Sequence, residues 1–282
     1  PFGDVYAHEG KHRAAGRPSR CAEGQSVPDG SVVMVHDRWC EAAQQIRAVR
    51  EKILATDQAH RPQVITITSG CRGESKSTIT LNLGVALSEV ATGRVIVVEG
   101  DLSNGQLHHL GGVSPNGGIL DVLRNEGELD GRVCETAVEG RDLLCAHPNG
   151  ELDGTEGLLP RYCGRIIKQL RKHYTYVLID TPPVIEGSEA RLFGKCSDGT
   201  ILVARLEKTP REVIKRAVAE LRGSGSEVLG CVLTDRKNHV PGFLYRLVAH
   251  SPGKDSDGQR YSSDADTAGA AGPETTENAE AV

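Results

Sequence analysis

The sequence predicts an α/β fold: a three-layer sandwich around a mainly parallel central sheet. Two observations carry that expectation. Strand-length runs such as "VIVV" in Arg94–Val98 and "YVLI" in Tyr176–Asp180 are apolar throughout instead of alternating, as strands covered on both faces are. Helical patterns separate these runs one by one, as parallel crossovers require.

The elements follow in order. Residues 1–30 are rich in Gly, Arg, Ser and Pro without periodicity, and read as a flexible linker. Arg38–Leu54 is amphipathic and helical. Gln63–Thr68 is a buried strand, residues 77–90 a helix, Arg94–Val98 a second strand and Asp142–His147 a third. Leu158–His173 is a helix begun or interrupted at Pro160, and its "RKH" end suits the helix dipole. Tyr176–Asp180, Gly199–Leu206 and Glu227–Leu233 complete the sheet. Before the last strand, Thr209 is placed to cap a helix, Pro210 to open it and Glu212 to close a capping box. Val213, Ile214, Ala217, Val218 and Leu221 then recur at helical spacing. Residues 251–282 have seven acids against two bases and almost nothing to bury, the composition of a disordered acidic tail. The folded domain is therefore expected over residues 31–250.

Composition narrows the function. Hydrophobic residues make up 38% and charged residues 25%, which suits a globular domain. Aromatics are only 4%, so Val, Leu, Ile and Ala must fill the core. The formal charge of −5 equals that of the tail, so the body is balanced and nucleic acid is not an expected partner. Eight cysteines include no CxxC pair, which argues against a zinc cluster and for buried, reduced thiols of a cytosolic protein; Cys231, inside "VLGCVL", is one of these. No apolar run approaches the ~20 residues that cross a bilayer, and no signal peptide appears.

The chemistry is concentrated in "SGCRGESKST". Against G-x-x-x-x-G-K-[ST] it supplies Gly70, then Cys71, Arg72, Gly73 and Glu74, then Ser75 in place of glycine, Lys76 and Ser77, with Thr78 following. The segment follows a strand and opens a helix, where unpaired amides and the helix dipole hold phosphate. Lys76 suits the outer phosphates and Ser77 a Mg²⁺ ion. If the loop needs a positive φ at Ser75, a strain on the order of 1 kcal/mol follows. Two more segments end strands at the same edge. "VVEGDLSNG" carries Glu99 and Asp101, and "YVLIDTPPV" carries Asp180. Ligands of such sheets bind beyond the carboxyl ends of the strands, so Lys76, Asp101 and Asp180 are expected to converge.

On these residues the chain resembles the cytoplasmic domain of bacterial tyrosine kinases (BY-kinases) of capsule and exopolysaccharide synthesis, within the P-loop branch of the Min and Par ATPases. The likeness spans about Val35–Tyr245 and includes an intact "VLIDTPP", "LHHL", "GILDVL" and "ILVARLEKTPRE". It implies a P-loop NTPase fold that binds ATP and Mg²⁺ through residues 70–78. Ser77, Glu99, Asp101 and Asp180 would surround the metal, Asp180 through a water. Lys76, Asp101 and Asp180 would be catalytic, with Asp101 orienting or deprotonating the attacking hydroxyl. It also implies protein tyrosine substrates and a membrane adaptor of the polysaccharide co-polymerase type, in this chain or a separate one. The location implied is the inner face of the cell membrane. "EAAQQIR", Glu41–Arg47, partly matches an oligomerisation signature, with Gln44 for an arginine, and points to self-association. Four departures stand out: Ser75; Glu99 for aspartate; Thr234 where the last strand usually ends in asparagine; and a tail with only Tyr245 and Tyr261 instead of a tyrosine cluster. A Min/Par-like ATPase switch and a non-catalytic adaptor of the same fold are the alternatives.

Overall fold

The structure, a computed structural model, describes residues 20–21, 26–56, 61–129, 131–146 and 154–235. The chain divides into two units, residues 1–236 and 237–282, and the second lies wholly outside the described residues, with Tyr245, Tyr261 and the acidic tail.

One eight-stranded sheet organises the first unit. Its strands are β1 (Arg20–Cys21), β2 (Val64–Ser69), β3 (Val95–Glu99), β4 (Val133–Glu135), β5 (Arg141–Leu144), β6 (Tyr176–Asp180), β7 (Gly199–Arg205) and β8 (Val228–Thr234). They lie in the order β1-β4-β5-β3-β6-β2-β7-β8, and every pairing is parallel except β4 with β5. The helices are α1 (Val33–His36), α2 (Glu41–Leu54), α3 (Lys76–Ser88), α4 (Leu107–Gly111), α5 (Ile119–Arg124), α6 (Leu159–His173), α7 (Glu189–Cys196) and α8 (Arg211–Gly223).

The period-two geometry of the strands divides the core. Ile65, Ile67, Val95, Val97 and Leu178 face α2 and α3, whereas Val64, Ile96, Val98, Val177 and Ile179 face α5, α6 and α7. α3 is apolar on nearly every side because β3 and β6 cover its inner face and α2 its outer face, so Leu81, Leu83, Val85 and Leu87 are all buried. Each such side chain contributes roughly 1.5–3 kcal/mol of burial. Asn82, buried among them, has its amide satisfied by the Ser31 and Thr78 carbonyls and accepts from the Met34 amide. The polar seam between α2 and α3 is Glu89, which binds Arg38, Arg47 and Arg50 at 2.9–3.0 Å. Arg47, the arginine of the partial oligomerisation signature, is thus engaged within its own chain; it also donates to the Arg38 carbonyl and lies over the Trp39 ring.

Four expectations change. The linker ends before residue 30, because Ser26 and Asp29 donate to the Gly112 and Leu110 carbonyls beside α4. β1 and β4 went unforeseen, being too short for a periodic signal. Thr209 does not cap α8, whose N-cap is Pro210; its hydroxyl accepts from the Arg205 amide and donates to Glu74. Cys231 is exposed, since β8 is the last strand of the sheet order and only part of its apolar sequence is covered.

Gly84 lets α3 sit close to the sheet: a Cβ there would lie 2.8 Å from Val97 Cγ2. Gly84→Val should destabilise by ~1–3 kcal/mol, seen as a lower urea midpoint with an unchanged slope. An unchanged midpoint would mean that this approach is not tight.

Candidate functional site: a phosphate loop beside a buried carboxylate

β3, β6 and β2 are neighbours, so the segments that leave their carboxyl ends meet. Register sharpens this. Asp180 pairs with Ile67 on one side and Glu99 on the other, which sets the two carboxylates at one level of the sheet.

The phosphate loop leaves β2 at Ser69, whose hydroxyl donates to the Cys71 carbonyl at 2.6 Å. Glu74 folds back into the loop, fully buried, and one carboxylate oxygen accepts from the Gly70 and Cys71 amides at 3.0 Å each. The other oxygen takes the Thr209 hydroxyl, which joins the loop to the start of α8. Arg205 adds a bond to the Gly73 carbonyl at 3.3 Å. Gly70 has no room for a side chain, because a Cβ would lie 2.6 Å from Val213 on α8. Ser75 adopts φ +65° and ψ +27°, the left-handed conformation glycine favours, and carries the strain of a side chain there. Its side chain is exposed, and α3 begins at the next residue. The amides that open α3 lack partners within the helix and make an anion site with the dipole behind it.

Lys76 is buried, and among the described residues no hydrogen bond or ion pair holds its ammonium. Ser77 donates to Asp180 at 2.6 Å, and Thr80, one turn further on, approaches the other Asp180 oxygen at 3.4 Å. Burial pushes the Asp180 carboxyl up to about 7; Glu99 and Asp101 push the same way, while Ser77 and Lys76 oppose them. Asp101 is half-buried, accepts the Asn104 amide at 3.0 Å, and is within electrostatic reach of both Asp180 and Arg72. Arg72 pairs with Glu186 at 2.5 Å, tying the phosphate loop to the segment after β6.

The sequence-derived set is therefore brought together with one exception in orientation. Glu99 turns its carboxylate to the Leu107 amide at 2.5 Å and the Ala146 amide at 2.7 Å, bracing α4 and the end of β5. Burial raises its pKa despite these bonds. Thr78 contributes its carbonyl to Asn82. Thr80, Glu186, Arg205 and Thr209 were missed as members of the site. Only Thr80 left a readable signal, at helical spacing from Lys76 and Ser77. The rings of His108 and His109, on α4, lie 3.9 Å apart, and burial lowers the pKa of His108.

The chain as a whole is similar to known proteins. Tyrosine-protein kinase YwqD of Bacillus subtilis is 26% identical over 195 residues, 69% of this chain and 81% of that protein. The chain is homologous to bacterial tyrosine-protein kinases. The crystal structure of the chimerical protein CapA2B2 superposes with a TM-score of 0.66 at 28% identity, over 74% of this chain and 92% of that one. The septum site-determining protein MinD of Pyrococcus horikoshii, complexed with Mg-ADP, superposes with a TM-score of 0.54 at 28% identity, over 67% and 78%. No family model matches. The homology to tyrosine kinases and the P-loop α/β architecture agree with the sequence reading.

Asp180 also sets a stability signature. Its folded pKa of about 7 exceeds the ordinary 3.8, so its neutral form stabilises the fold fully below pH ~4. That contribution is lost as pH rises towards 7. In ligand-free protein, Asp180→Asn should therefore raise the unfolding free energy from urea titration at pH 8, by at most a few kcal/mol, and the gap should close towards pH 4. An equal gap at both pH values would contradict the buried, neutral carboxyl.

Proposed function

We propose that the chain is an ATP-dependent protein-tyrosine kinase domain acting in capsule or exopolysaccharide synthesis and export. The observation that carries this reading is the meeting of Lys76, the Ser77–Asp180 pair and Asp101 at the adjoining ends of β2, β3 and β6. The kinases among its relatives give the chemistry that such a site would perform.

In this reading the loop amides and the α3 N-terminus hold the ATP phosphates, and Lys76 neutralises the outer ones. A hydroxyl and a carboxylate are hard donors, so Ser77 and Asp180 fit Mg²⁺, which keeps most of its waters and needs few protein ligands. The dication supplies positive charge to the phosphates and would reverse the raised pKa of Asp180. Asp101 is the acid placed to orient the acceptor hydroxyl. Glu99, occupied by two backbone amides, acts as a brace and not as a metal ligand. The protein substrate is a tyrosine of this or another chain, and a membrane adaptor places the domain at the inner face of the membrane.

With Mg-ATP and the adaptor's cytoplasmic segment supplied, the full chain should gain phosphotyrosine, and Lys76→Ala should lower the rate by ~100-fold or more. Phosphate release without phosphotyrosine would replace this reading with a Min/Par-like switch. Absence of Mg-ATP binding at millimolar concentration would leave a non-catalytic adaptor.

The left-handed backbone at residue 75 is already reached with serine in place. Ser75→Gly should accordingly change Mg-ATP affinity by less than ~10-fold, or about 1.4 kcal/mol, in calorimetry. A larger gain would mean that the serine side chain obstructs the phosphates.

A further inference from the structure

On the sheet face opposite α3, α6 and α7 pack together, and each carries a cysteine on the shared apolar cluster. Cys163 is 2% exposed, and its Sγ lies 3.8 Å from the Leu192 carbonyl. That carbonyl is one helical turn before Cys196 on α7, which places the Cys163 thiol beside residue 196. Cys196, half-buried, packs against the same apolar cluster as Cys163.

We propose that Cys163 and Cys196 are a redox site, oxidised by a hydroperoxide to a reversible disulfide that staples α6 to α7. The two sulfurs are chemically unequal. Cys196 is lowered to about 6 by the neighbouring Cys163 thiol and by Lys195 beside it, against the opposing effects of burial and of the C-terminal end of α7. Cys163 is raised by the same neighbour and by burial. Cys196 is the more exposed of the two and so the one open to an oxidant, with Cys163 behind it. By contrast, burial and Glu74 raise the pKa of Cys71, which leaves it a weaker nucleophile.

The chemistry balances in two steps. The Cys196 thiolate attacks the hydroperoxide, the O–O bond breaks, and an alcohol (water from hydrogen peroxide) leaves with a proton from solvent, giving a sulfenic acid at Cys196. The Cys163 sulfur then displaces hydroxide from that sulfenic acid. Its own proton goes to the hydroxide and water leaves, so two thiols are oxidised by one peroxide. An added dithiol reverses the reaction by exchange. The inference stands apart from the nucleotide reading, since neither cysteine belongs to the phosphate loop.

The test is hydrogen peroxide treatment of the folded full chain, then alkylation and non-reducing peptide mapping. The expected result is a disulfide linking the tryptic peptides that carry Cys163 and Cys196. It should lower the mass by two hydrogens, disappear with dithiothreitol and be absent in Cys196→Ser. The linked form should also melt at a higher temperature, and dithiothreitol should return it to the starting value. Cys163→Ser, should it fold, should trap the sulfenic acid at Cys196, which a dimedone adduct reads directly. Cys196→Ser keeps the test open should the buried variant not fold. Oxidation confined to Cys71 or Cys231, linkage that appears only in denaturant, or unlinked sulfinic acid at Cys196 would each overturn the proposal.

Discussion

The site depends on a carboxylate placed where the sheet offers it no water. Asp180 ends β6 between β2 and β3, 2% exposed, and its partners are the hydroxyls of Ser77 and Thr80 on α3. An isolated buried carboxylate is costly to ionise, which is why its pKa rises. A bound cation removes that cost. The Ser77–Asp180 bond also fixes α3 against β6 at the height where the phosphate loop ends.

The loop is braced from a direction the motif does not specify. A glycine-rich phosphate loop is normally shaped by its glycines, but here the residue before the lysine is serine in a left-handed conformation. Strain of that kind persists only where the surroundings over-determine the backbone. Glu74 supplies that support by spanning the Gly70 and Cys71 amides and the Thr209 hydroxyl, with Arg205 at the Gly73 carbonyl. Arg205 is in turn bound to Asp235, just past β8, so the last two strands of the sheet help to shape the loop.

Much of this was legible in the sequence, for identifiable reasons. β3, β6 and β7 are apolar on both faces, and a strand buried on both sides has little freedom to be read as anything else. The phosphate loop and Asp180 were legible because strand-end chemistry is local in sequence. What stayed hidden is what depends on partners distant in sequence. Thr209 carries every local mark of a helix cap, yet its hydroxyl serves Glu74, 135 residues away. β4 has three residues and owes its existence to β5 and β1. Cys231 sits in a run as apolar as any core strand, and its exposure follows from its place at the end of the strand order, which no local pattern encodes.

Glu99 shows how one methylene can redistribute a site. Its register partner is Asp180, so a shorter acid there would hold a second carboxylate beside the first. The longer side chain reaches the amides of Leu107 and Ala146, and a Cβ on Gly105 would lie only 2.5 Å from it, so the segment after β3 closes directly over the carboxylate. The Glu99 carboxyl group is thereby committed to holding α4 and the end of β5. Of the two acids in "VVEGDLS", this leaves Asp101, half-buried, as the one within electrostatic reach of both Asp180 and Arg72 without two backbone amides bound to it. The division follows from side-chain length and backbone geometry: the strand-borne acid supports the architecture, and the loop-borne acid stays within electrostatic reach of Asp180 and Arg72.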